Sequence, residues 1–203
     1  MSTDRAAIHP RKMPVQRRSM AAVDAIYEAS ARILEESGLA ALNTNLAAER
    51  AGVSVGSLYQ YFPSKEAILA GLLHRKRQEL LADMRRVAAD HRALSLETVV
   101  ERLLNAALRH YLERPVLSRT LEYAEAYLPL DQETAQLKAE IGGEIAKVLA
   151  DRDIANATLA ARDIVGMARG MMDASSQAGD SDASALITRI KAAVLGYLDR
   201  MRG

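Results

Sequence analysis

Apolar residues recur at the period of an α-helix along nearly the whole chain. The alternation that marks a half-buried strand is hard to find anywhere. Ala, Leu, Glu and Arg dominate, and only five prolines and eleven glycines interrupt 203 residues. A chain patterned this way builds its core by packing helices on helices. Val23, Ile26, Tyr27, Ile33 and Leu34 fall at offsets of 3, 4, 10 and 11 from Val23, one face of a helix over about 15–37. Gly38 ends it, because glycine accepts the positive φ of a helix C-terminus. Asn43 can cap a short helix filled by Leu46 to Ala51 and ended by Gly52, and Ser54 can cap a third that runs to Phe62. Pro63 stops that one by pushing its predecessor out of the α region. Ser64 caps a fourth, with Glu66 in the first turn where the helix dipole favours negative charge, and it extends to about Arg92. Five more helices are predicted over about 95–113, 116–127, 131–150, 155–177 and 183–201. Pro115 and Pro129 separate the first three of these, and the loop SSQAGDSDAS separates the last two. No internal repeat is evident. The expected fold class is all-α, with about nine helices.

Composition narrows the function. A chain of 203 residues buries roughly 70% of its unfolded surface, enough for a core without staples. Cysteine is absent, which removes disulfide frameworks, thiolate metal sites and cysteine nucleophiles together. No run approaches the ~18 apolar residues of a membrane span. The opening MSTDRAAIHPRKMPVQRRS lacks the apolar stretch of a signal peptide. A soluble, cytoplasmic protein with no membrane partner is expected. Residues 1–92 carry 14 Lys/Arg and 10 Asp/Glu, while residues 93–203 carry 13 and 16, a basic front and an acidic back. Mild asymmetry of this kind is common, but it also suits a front half that meets an anion.

An enzyme finds little support. None of His9, His74, His91 and His110 follows a glutamate by three residues, so a Glu-x-x-His di-metal bundle is excluded. There is no His-Glu-x-x-His pair and no phosphate-cradling glycine loop. His110 and Glu113 share a face, as a surface pair on an amphipathic helix would. No catalytic residue, metal ligand or cofactor is expected.

The informative segment is NTNLAAERAGVSVGSLYQYFPSK, Asn43–Lys65. Two short helices meet at Gly52, and small Ala48 lets them approach. Val53, Leu58 and Phe62 are the apolar anchors, the last two at i, i+4. This pattern is a helix-turn-helix, whose second helix can enter the DNA major groove. Burying the anchors leaves Val55, Gly56, Ser57, Tyr59, Gln60 and Tyr61 pointing outward or sideways. Tyrosine can hydrogen-bond phosphate and pack on a thymine methyl, and Gly56 permits close backbone approach. Lys65 and the amides of its helix N-terminus suit a phosphate. The second helix has no Lys or Arg, so specificity is expected from Ser57, Tyr59, Gln60, Tyr61, Val55 methyl packing and DNA shape. Arg11, Lys12, Arg17 and Arg18 form a basic arm, either a minor-groove or phosphate contact or a solvated tail.

The run AERAGVSVGSLYQYFPSKEAIL resembles the DNA-binding signature of TetR-type transcriptional regulators, and GLAALNTN before it resembles one branch of that family. The layout of three front helices and six behind is also similar to the family's design. The resemblance implies a homodimer that reads half-sites of a pseudo-palindromic double-stranded DNA operator and is released by a small effector. It divides the chain into a basic, disordered arm (1–18), a helix-turn-helix domain (19–64) and a ligand-binding and dimerisation domain (65–203). It places Thr44 and Asn45 on phosphates, Val55, Gly56, Ser57, Tyr59 and Tyr61 at the groove, and Lys65 on the backbone. Ala47 stands where the family usually has isoleucine, which implies looser packing under the second helix. Thr44 occupies a position often apolar in the wider family. Repression is what most of the family does. An activator, a regulator needing a co-ligand, and a dimeric ligand-binding module without DNA recognition are the alternatives.

The rear helices suggest a partner and a pocket. Ile187, Ile190, Val194, Tyr197 and Met201 follow spacings of 3, 4, 3 and 4, and Gly166, Gly170 and Ala174 form a small-residue stripe. Two such helices from each chain would make a four-helix dimer interface, although a monomer core uses the same patterns. Met84, Leu108, Tyr111, Tyr123, Tyr127, Met167 and Met171 are the candidate pocket residues, with ordinary core as the competing explanation. With aromatics at only 4% and no tryptophan, an apolar or amphipathic effector fits better than a caged cation. Gly142 and Gly143 interrupt a helical pattern at about 1 kcal/mol each, so a kink, a close contact or a tolerated crossing is expected there.

Overall fold

The computed structural model describes residues 17–128, 132–180 and 182–202, apart from the side chains of Arg17 and Arg18. Within the described residues there are nine α-helices. They are α1 (Arg17–Ser37), α2 (Thr44–Ala51), α3 (Val55–Tyr61), α4 (Lys65–Ala89), α5 (Leu96–Leu112), α6 (Pro115–Glu125), α7 (Gln132–Ala150), α8 (Ala157–Gln177) and α9 (Ala183–Met201). Single 3₁₀ turns follow α1 and α4, at Leu39–Ala41 and His91–Ala93. The second closes α4 at Ala89, slightly short of the expected Arg92. Residues 1–16 of the arm, with Arg11 and Lys12, lie outside the described residues, and α1 opens at Arg17.

The caps follow the local chemistry. The Asn43 side chain accepts from the Leu46 N–H at 2.9 Å, and Ser54 Oγ from the Ser57 N–H at 3.0 Å. Ser64 Oγ accepts from Ala67 N–H at 3.3 Å. Gly52 is left-handed, at φ 67°, and its N–H reaches Glu49 O at 3.1 Å while the Val53 N–H reaches Ala48 O at 3.0 Å. That pair of crossed bonds is a Schellman closure, which satisfies two orphan carbonyls and turns the chain toward α3.

The chain divides into two compact units. The first comprises the described residues within 1–76 and 116–135. Its core joins Ile26, Ile33 and Leu34 of α1, Ala47 and Ala48 of α2, Leu58 of α3, Phe62, Ile68 of α4, and Leu117 and Leu121 of α6. Ala47 is fully buried, so the smaller residue is closed over. Tyr27 braces this core. Its ring meets Phe62 edge-on at 5.0 Å, Arg75 lies over it at 5.0 Å, and Arg75 also pairs with Asp24 at 2.9 Å. Burial pushes the Tyr27 hydroxyl up to about 12, with Arg75 opposing and Asp24 adding. Gly71 makes the brace possible, since a Cβ there would lie 2.1 Å from the Tyr27 hydroxyl oxygen.

The second unit comprises residues 77–115 and 136–203. One cluster joins Leu108 and Tyr111 of α5, Leu149 of α7, Ile164 and Met172 of α8, and Leu186, Ile190, Val194 and Leu198 of α9. A smaller one joins Met84, Val99, Leu103, Ala106 and Val148. Asp83 on α4 accepts from Arg109 and from His110 Nε2, each at 2.8 Å, and pairs with Arg86 at 2.7 Å. Burial raises its carboxyl, but the His110 hydrogen bond and the charges of Arg86, Arg109 and His110 outweigh that and hold it below the usual range. His110 therefore serves the α4–α5 contact through Asp83. The expected surface pairing with Glu113 does not describe it. The α7–α8 connection is pinned by Asp151, which accepts from Arg92 and His91 at 3.0 Å, and by a single antiparallel bridge between Ile154 and Arg202. Helix α7 runs on through Gly142 and Gly143, and nothing described lies within 4 Å of a Cβ built on either.

Candidate nucleic-acid interface

Helix α3 is positioned by its buried side. Leu58 and Phe62 are fully buried, while Val55 and Tyr59 are 40% and 42% exposed and Gly56 and Gln60 are exposed beside them. Ser57 and Tyr61 are half-buried. Thr44, the first residue of α2, is half-buried and Asn45 exposed. Thr44 Oγ1 and the Tyr59 hydroxyl share a hydrogen bond at 3.1 Å, which joins the start of α2 to the outer face of α3. That link was not visible in the sequence, because 15 residues separate the partners and no periodicity connects them. Lys65 opens α4 and is half-buried.

Charge on this unit is mostly spent internally. Arg32 pairs with Glu28 at 2.8 Å, Arg50 with Glu36, and Arg75 with Asp24. Among the described residues Lys65 has no acidic partner, and it lies half-buried at the start of α4. The side chains of Arg17 and Arg18 lie outside the described residues.

The pocket candidates separate. Leu108 and Tyr111 are buried in the larger cluster of the second unit, with Met167 and Met171 half-buried against it. The Tyr111 hydroxyl donates to Asp173 Oδ1 at 2.8 Å. Met84 is buried in the smaller cluster. Tyr123 and Tyr127 sit on and just after α6 in the first unit, 61% and 71% exposed, with rings 5.2 Å apart. Of the interface candidates, Gly166, Gly170 and Ala174 are exposed, and nothing lies within 4 Å of a Cβ built on either glycine. Ile190 and Val194 are buried in the chain's own core, and Ile187, Tyr197 and Met201 are half-buried against it. The Tyr197 hydroxyl donates to Asp163 at 2.8 Å. Among the described residues no helix is long and apolar enough to cross a membrane.

Two helices joined by a Schellman turn, the second buried on one side and open on the other, define a helix-turn-helix protein. Residues 26–72 match the model of bacterial regulatory proteins of the tetR family, and residues 95–198 match the tetracyclin repressor-like C-terminal domain. The chain belongs to the TetR family of DNA-binding transcriptional regulators, a non-enzymatic family. Over 103 residues it is 33% identical to the HTH-type transcriptional repressor KstR of Mycolicibacterium smegmatis, covering 50% of this chain and 50% of that protein. KstR of Mycobacterium tuberculosis matches at 33% over 103 residues, 50% of this chain and 47% of that protein. The chain thus spans about half the length of the curated relatives it matches. The fold is shared with the fatty acid degradation regulator FadR of Bacillus halodurans, at TM-score 0.71, 18% identity and coverage of 90% and 97%. A TetR transcription regulator of Haloarcula marismortui gives TM-score 0.71, 20% identity and coverage of 90% and 98%.

Proposed function

We propose that the chain is a cytoplasmic, ligand-responsive repressor that binds a pseudo-palindromic operator as a homodimer and is released by a small apolar or amphipathic effector. The observation that carries the reading is the open outer face of α3, set on a fully buried Leu58–Phe62 side. In this reading residues 19–64 meet DNA, with Thr44, Asn45 and Lys65 on phosphates and Val55, Gly56, Ser57, Tyr59, Gln60 and Tyr61 at the groove. Arg17 and Arg18 are assigned to DNA on their charge alone. Residues 65–203 take the partner and the effector. Repression is supported by the KstR relatives, which are repressors. The exposed Gly166–Gly170–Ala174 stripe supports dimerisation, because small residues let a partner helix approach closely. Half-buried Met167 and Met171, packed against the cluster that contains Leu108 and Tyr111, support an apolar effector, since methionine adapts to irregular shapes.

The test is selection of fragmented genomic DNA by the purified protein at about 0.15 M salt with competitor DNA. An enriched pseudo-palindrome is the expected result, with affinity falling steeply as salt rises. No enrichment, from protein shown to be folded and dimeric, would overturn the reading.

A further inference from the structure

With no lysine or arginine on α3, the polar groups it presents decide which base pairs it can read. Ser57 is committed to the helix start, with its Oγ 2.7 Å from Ser54 Oγ and its N–H capped by the same atom. The Tyr59 hydroxyl is engaged by Thr44, which the reading above assigns to phosphate, so its polar group is turned from the base edges even though its ring faces the groove. Tyr61 packs against the core. Val55 offers only methyl groups, and Gly56 offers no side chain. Gln60 remains. It is exposed, and two residues past buried Leu58 it points roughly 200° away from the core. Its amide has no hydrogen-bond partner among the described residues.

A carboxamide sets a donor and an acceptor side by side. That is the complement of the adenine N7 acceptor and N6 donor in the major groove. We propose that Gln60 is the base-reading side chain of this helix and reads one adenine in each half-site. The inference rests on α3 entering an operator, the reading given above.

The test runs the full chain and its Gln60→Ala and Gln60→Glu variants against a randomised duplex library at about 0.15 M salt, followed by sequencing. Wild type is expected to select an A·T pair at one position of each half-site. Gln60→Ala should lose that preference alone, with affinity for the wild-type site lower by about 5- to 150-fold for each half-site, the two factors multiplying in the dimer. Gln60→Glu should shift the same position toward C·G, because a carboxylate accepts from cytosine N4. Unchanged melting of both variants separates lost reading from lost folding. If Gln60→Ala selects the wild-type motif at full strength, or the position it relaxes is not A·T, the inference falls while the regulator stands. If wild type enriches no sequence, both fall.

Discussion

Asp83 gathers Arg86, Arg109 and His110 around one carboxylate. Its native pKa lies below the ordinary value of ~3.9, so the folded chain binds fewer protons there than the unfolded one. The stability this contributes is complete above about pH 4 and is lost as pH falls through the lowered native value. Melting followed from pH 7 to pH 3 should show that acid loss, and Asp83→Asn should melt lower at pH 7 and lose less on acidification. Equal slopes for the two proteins would remove Asp83 from the account. Contacts of this kind were largely illegible in the sequence. The spacing of Tyr27 marked it as core, but not that Gly71 clears room for its hydroxyl. His110 was visible as a polar residue on α5, but its partner sits 27 positions earlier on another helix.

Helices α2 and α3 were legible almost residue by residue, because Asn43, Gly52, Ser54 and Pro63 act on their immediate neighbours and need no tertiary context. The stripe on α9 was legible only as apolar. Ile190 and Val194 serve the chain's own core, and periodicity records that a face is buried without recording what buries it. Nor did the sequence tell that Leu117 and Leu121 carry α6 into the core of α1–α4. Within α3, Gly56 separates stability from binding. A Cβ there would meet only Ser54 Oγ, at 3.9 Å. Gly56→Ala should therefore stabilise the helix by up to about 1 kcal/mol. If the backbone closely approaches DNA at this point, operator affinity should fall on the order of tenfold, about 1.4 kcal/mol. Melting and DNA titration on one sample check both halves, and unchanged affinity would place the backbone farther from the groove.

For the whole molecule, Gly170 discriminates a free face from an interface. Open space surrounds its Cβ position within the chain, so Gly170→Leu should leave the melting of the isolated chain intact. If α8 packs on a second copy, the leucine holds the helices apart, and sedimentation equilibrium should show dissociation to monomer. A variant that remains a dimer would move the interface elsewhere. One feature of α3 reaches beyond the single molecule. Its fold-bearing residues, Ser54, Leu58 and Phe62, are distinct from the outward Gln60. A single-base change in a glutamine codon yields glutamate, lysine or arginine. On the proposed reading of a base by Gln60, one copy of a duplicated gene acquires a different operator by point mutation while inheriting an unaltered scaffold, and two regulators can diverge in what they control before they diverge in how they fold.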